Sequence, residues 1–174
     1  MRDDGGMPSG SELAALGSTA LSVTLEAAAL VGDRPEDLGV AATKSSRTDV
    51  VTVMDQRAQA LIRSRLERAR PGDAFLGEEE GGTSAPSTTG ITWVVDPIDG
   101  TVNYLYDIPA YAVSVAAVTG DPTTPGAWRP VAGVVAAPAS GEVFRATLGE
   151  GAWRRRGDGP WTRIGHSGCD DLGL

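Results

Sequence analysis

The period of the hydrophobic pattern changes once along this chain of 174 residues. Up to about residue 70, apolar side chains recur every three or four positions, the spacing of a helix face; beyond residue 74 they recur at every second position, the spacing of a strand. Leu13, Leu16, Ala20, Val23, Ala27, Leu30 and Val31 mark a first helix over about 11–31, with Ser11, Ser18, Ser22 and Glu26 on the other side. Gly32-Asp33-Arg34-Pro35 ends it, and a loop carrying Lys44-Ser45-Ser46-Arg47-Thr48-Asp49 leads to a second helix predicted over about 53–70. Met54, Ala58, Leu61, Ile62 and Ala69 form its apolar stripe, and Pro71-Gly72-Asp73 stops it. Strands are predicted at Ala74 to Leu76, Ile91 to Val95, Tyr111 to Val118, Val131 to Ala137 and Glu142 to Ala146. Ala139-Ser140-Gly141 and Arg156 to Pro160 read as hairpin turns. Two helices followed by a run of strands predict an α+β fold in layers: a polar tail over residues 1–10 and one domain over 11–174.

Two small counts exclude much chemistry. The chain has one histidine, His166, and one cysteine, Cys169. Neither a disulfide framework nor a Cys/His zinc site can form within one chain. A Ser-His-Asp or Cys-His relay would have to run through His166, in a tail with no nucleophile motif, so His166 and Cys169 read as fillers. The formal net charge of −8 argues against a generic surface for nucleic acid or anionic membrane. Phosphate binding then requires cations in between. The segment Leu13 to Val31 carries only Glu26 as a charge and reads as an amphipathic helix of a soluble domain. No secretory signal pattern opens the sequence, which points to the cytoplasm.

The densest chemical signal is Trp93-Val94-Val95-Asp96-Pro97-Ile98-Asp99-Gly100-Thr101. Here a strand of buried type runs into a carboxylate, a proline, a second carboxylate and a glycine. Pro97 at the first central position of a turn would fold Asp99 back toward Asp96. Two carboxylates about 4 Å apart repel by roughly 4 kcal/mol at an effective dielectric of 20, so the pair needs a shared proton or a cation. Hard oxygen ligands favour Mg²⁺. Asp99 then suits the N-cap of a short helix beginning near Gly100, whose free amides attract anions. Gly100 lets a phosphate approach the backbone, and Thr101 adds a hydroxyl. Alone, Glu78-Glu79-Glu80 would be a solvated acidic loop and Asp55 a charge favoured near a helix start; their joint occurrence gives them weight. Arg154-Arg155-Arg156 reads as an exposed hairpin end rather than an anion site.

The hexad Asp96-Pro97-Ile98-Asp99-Gly100-Thr101 resembles the signature of the inositol monophosphatase family of magnesium-dependent, lithium-sensitive phosphatases, with Asn103-Tyr104 where the family has Asn-Phe. Two further motifs similar to that family stand in order, Thr48-Asp49-Val50-Val51-Thr52-Val53-Met54-Asp55-Gln56 and Gly77-Glu78-Glu79. The resemblance implies a layered αβ sandwich with two N-terminal helices on a mainly antiparallel sheet. It implies metal binding by Glu78, Asp96, Asp99 and the Ile98 carbonyl, with Asp55 near a weaker third position, for two or three Mg²⁺ ions. Phosphate would meet Asp99, Gly100 and Thr101, while Thr101 and Glu78 orient the attacking water and Lys44 reaches in from a loop. The implied reaction is hydrolysis of a phosphate monoester, inositol monophosphate first, by a homodimer with no nucleic-acid or membrane partner. Histidinol phosphate or another sugar phosphate, and a non-catalytic binding or regulatory role, are the rivals. The family also has a second αβ half with a Trp-Asp motif. Here the four tryptophans are followed by Val94, Arg129, Arg154 and Thr162, so the resemblance covers the amino-terminal half. An exposed apolar patch or open strand edge, and feeble hydrolysis by this piece alone, are the corresponding expectations.

Overall fold

A computed structural model describes residues 7–33, 47–78 and 86–168. Helix α1 spans Gly10–Gly32 and helix α2 Arg47–Ala69; β1 is Ala74–Gly77, β2 Ile91–Asp99 and the short helix α3 Thr101–Leu105. Strands β3 to β7 follow at Ala112–Gly120, Trp128–Ala137, Glu142–Thr147, Gly151–Arg156 and Thr162–Ile164. The seven strands lie side by side in chain order. β1 and β2 run parallel and every later pair is antiparallel.

The sheet divides its side chains by alternation. Trp93 and Val95 of β2, Val113, Val115 and Ala117 of β3, and Ala132, Val134 and Ala136 of β4 are buried on one face. Helix α1 lies across β3, β4 and β5, and α2 lies on α1 and β2. Leu16, Ala20, Val23, Ala27 and Val31 of α1 meet this core together with Met54, Ala58, Ile62 and Leu66 of α2. Although α1 is long and apolar enough to cross a membrane, its buried residues are those facing the sheet. Among the described residues no helix lies on the opposite face of the sheet. Ala116, Gly133, Val135, Phe144, Ala146, Ala152 and Ile164 line a shallow apolar depression of about 600 Å³ there. That is the exposed apolar patch expected from the sequence.

The structure corrects several boundaries. Ser9 caps α1 through its side chain, which accepts from the Glu12 amide at 3.3 Å, so the helix begins inside the expected tail. Helix α2 starts at Arg47, six residues before the expected position. The β-branched run Val50-Val51-Thr52-Val53 has weak helix propensity and nevertheless lies within the helix. Ala69 is exposed and Leu66 takes its place in the stripe. β6 and β7 were not expected, because Trp153-Arg154-Arg155-Arg156 and Thr162-Arg163-Ile164 do not alternate between apolar and polar.

One buried carboxylate pins the entry to β2. Asp73, with its side chain 2% exposed, accepts from Arg70 Nε at 2.9 Å, Trp93 Nε1 at 2.9 Å and Thr89 Oγ1 at 2.6 Å. Arg70 reaches on to Glu12 of α1 at 3.2 Å. This network joins both long helices to the strand that carries the signature motif. Asp73→Ala would leave the Trp93 indole without its acceptor and the Arg70 guanidinium with Glu12 alone. Loss of about 3–5 kcal/mol is expected, read from chemical denaturation.

Candidate active site

The parallel register of β1 and β2 ends at Gly77 opposite Val95. One step further along both strands stand Glu78 and Asp96. The antiparallel partner of β2 then decides where Asp99 points. Asp96 pairs with Ser114 and Asp99 with Ala112, so three steps on β2 match two on β3. Pro97 and Ile98 therefore form a β-bulge, and Pro97, having no amide hydrogen, suits that interruption of the ladder. Ser114 and Ala112, two residues apart, share a face, so their partners Asp96 and Asp99 share it too. The expected Pro97 turn is thus a bulged strand, and it achieves the same juxtaposition. Both carboxylates lie on the sheet face opposite the one packed by α1 and α2.

After Asp99 the chain turns through Gly100, with φ 87° and ψ 39°, into α3. Gly100 is itself the N-cap, with no side-chain cap hydrogen bond, which corrects the expected Asp99 cap. A Cβ at Gly100 would stand 2.8 Å from the Ala110 carbonyl oxygen, so glycine is required by the fold before any ligand is considered. Asn103 Nδ2 donates to the same Ala110 carbonyl at 2.7 Å and closes the loop. Tyr104 is fully buried, packs edge-on against Tyr111 with ring centroids 5.0 Å apart, and donates its hydroxyl to the Val31 carbonyl at 3.3 Å. That carbonyl is in the last turn of α1, where helix oxygens lack intrahelical partners. The tyrosine at this position therefore acquires a partner that phenylalanine could not use. The pairing joins residues 73 positions apart and has no sequence signal.

Thr101 Oγ1 donates to the Ile98 carbonyl at 3.0 Å. Asp55 is buried on α2, which packs against both β2 and α3. A side chain at Gly77 would collide with Gln59, one turn beyond Asp55, so the bare glycine lets α2 approach the end of β1. Lys44, Glu79 and Glu80 lie outside the described residues, as does Cys169. His166 is exposed and accepts from the Gly168 amide at 3.0 Å, away from the carboxylates in the chain.

Burial, then the charge of Glu78 and a hydrogen bond shared with it, then the charge of Asp99, push the Asp96 carboxyl up from 3.8 to about 7. Its Oδ1 is buried with no hydrogen-bond partner. An anionic oxygen in that position lacks a donor and invites a proton or a cation. The donor set is all hard oxygen, the type that Mg²⁺ takes. Among the described residues no three carboxylate, imidazole or thiol groups converge on one point at ligating distance.

The chain matches the model of the inositol monophosphatase family over residues 13–168 and belongs to that family. It is 47% identical over 155 residues to "Inositol-1-monophosphatase SuhB" of Mycobacterium tuberculosis, covering 81% of this chain and 51% of that protein. It is 40% identical over 111 residues to a histidinol-phosphatase of Streptomyces coelicolor, covering 64% and 39%. The solved structure of Mycobacterium tuberculosis SuhB superposes with a TM-score of 0.69 at 39% identity, over 92% of this chain and 55% of that one. The inositol monophosphatase of Anabaena gives 0.64 at 27% identity, over 83% and 49%. The chain thus spans about half the length of these relatives.

Three outcomes follow. Gly100→Ala is expected to destabilise the protein by about 1–3 kcal/mol through a positive φ and a backbone clash, seen as a lower thermal midpoint. Tyr104→Phe costs about 1 kcal/mol by leaving the Val31 carbonyl without its donor, in the same measurement. For Asp96 the folded state holds a proton that the unfolded chain releases between pH 3.8 and about 7. Metal-free stability is therefore highest below the unfolded value and declines as pH rises through about 7. Melts in chelator should show this slope, and Asp96→Asn should flatten it.

Proposed function

We propose that this chain carries the metal- and phosphate-binding half of a magnesium-dependent phosphomonoesterase acting on inositol monophosphate. The observation that carries the proposal is the orphaned Asp96 oxygen, held beside Glu78 and Asp99 where two parallel strands end. Glu78, Asp96, Asp99 and the Ile98 carbonyl would hold two Mg²⁺ ions, with Asp55 serving a weaker third. Bound Mg²⁺ supplies Lewis acidity and offsets the charge that develops on the reacting phosphate.

The protein groups have separable tasks. Thr101 has its hydroxyl proton committed to Ile98, so its oxygen is left to accept from the attacking water and fix its orientation. Glu78, exposed at the end of β1 and hydrogen-bonded to Asp96 in the metal-free site, would take the second proton contact of that water once a cation replaces the proton they share. The Gly100 and Thr101 amides would face the phosphate oxygens. Inhibition by lithium, a homodimer and a cytoplasmic location belong to the same proposal. Support comes from family membership and from relatives named inositol-1-monophosphatase. The histidinol-phosphatase relative supports a second substrate class, histidinol phosphate.

Calorimetric titration with Mg²⁺ in the presence of inorganic phosphate tests the site. Wild type should bind and Asp96→Asn should not; equal binding by both would remove Asp96 from it. In the full-length protein, Thr101→Ala should lower kcat about a hundredfold with little change in KM, because water orientation matters mainly in the transition state. A change in KM alone would contradict the role assigned to Thr101.

A further inference from the structure

At the opposite end of the sheet two arginines stack on one tryptophan and a third lies across the neighbouring strand, with no acid paired to them among the described residues. The guanidinium carbons of Arg145 and Arg155 lie 4.4 and 4.9 Å from the centroid of the same Trp161 ring. In the register of β5, β6 and β7, Arg145 pairs with Trp153 and Trp153 with Arg163, so all three project from one face. Arg163 crosses Gly151, where a Cβ would come within 3.1 Å of its Nη2. Among the described residues none of Arg145, Arg155 and Arg163 has a carboxylate within ion-pair distance, and Arg155 Nε is buried with no acceptor. The neighbouring arginines are engaged elsewhere: Arg154 with Glu142 at 3.7 Å and Arg156 with the Ser140 carbonyl at 3.2 Å. In a chain of net charge −8, three guanidinium groups with no carboxylate partner among the described residues, on one face of three adjacent strands, are a local inversion of the field.

Beside the patch, a cleft of about 150 Å³ opens between α1 and the sheet, lined by Arg145, Thr147, Glu150 and Trp153, with Gly17 and Leu21 of the helix opposite. That volume admits a phosphate group with water. Glu150 is exposed and forms no ion pair with the arginines. From β5 to β7 the charges are distributed over two strand spacings, about 10 Å, which exceeds a single phosphate and suits two joined ones. Guanidinium is the cation whose planar fork matches phosphate oxygens.

We propose that Arg145, Arg155 and Arg163 form a second anion site, for a small molecule carrying a diphosphate group. The carboxylate site on β1 and β2 is three or more strand spacings away and on the other face, so the two cannot share one ligand.

The test titrates the chain with pyrophosphate, following tryptophan fluorescence and heat, since Trp153 and Trp161 sit among the arginines. Pyrophosphate should bind at least about tenfold tighter than inorganic phosphate or sulfate, with a fluorescence change. Arg145→Gln with Arg155→Gln should weaken it by about tenfold or more, while Asp96→Asn leaves it intact. Should the double variant fold poorly, Arg163→Gln, on the exposed edge strand, should still weaken binding several-fold. The proposal is overturned if pyrophosphate binds no tighter than sulfate, if nothing binds by about 10 mM, or if Asp96→Asn abolishes binding while the arginine variants retain it.

Discussion

One extra residue in β2 sets the chemistry of this molecule. Without the bulge at Pro97 and Ile98, Asp96 and Asp99 would fall on opposite faces of the sheet by simple alternation. With it, both join Glu78 at one edge, and like charges in a partly dry setting must find a counterion or a proton. Metal-free, the fold accepts the proton on Asp96, whose carboxyl titrates near neutrality. A cation would take the proton's place, which is how a site can be built to be unstable until filled.

The rest of the structure holds that bulge still. At the start of β2, Asp73 binds Trp93, Arg70 and Thr89 together. At its far end Ile98 is buried, its carbonyl accepts from Thr101, and Tyr104 ties α3 back to the last turn of α1. Gly77 lets α2 approach so that the buried Asp55 is carried to the same end of the sheet. Each of these contacts acts on position rather than on charge, so variants at them should disturb geometry before they disturb folding class.

The two faces of the sheet differ in what covers them. One is sealed by α1 and α2; the other bears the carboxylates and an apolar depression reaching from Ala116 to Ile164. The matched segments cover about half of the relatives' own length. Carboxylates and arginines are separated across the sheet, by strand and by face, which keeps two opposite electrostatic environments from cancelling each other.

The period change, the two long helices and five of the strands were legible in the sequence, because apolar spacing reports directly which faces are buried. So were Glu78, Asp96, Asp99 and Thr101 as candidates, because the hexad concentrates hard oxygen donors next to a glycine. Tertiary structure alone decided the remainder. The start of α2 at Arg47 runs against weak local propensity, and β6 and β7 are strands because β5 offers an edge to pair with. Whether Pro97 made a turn or a bulge could not be read locally, since the answer is in the register with Ser114 and Ala112. The partners of Tyr104 and of Arg155 are likewise invisible in sequence: each is fixed by a contact between segments whose distance the chain's linear order does not encode.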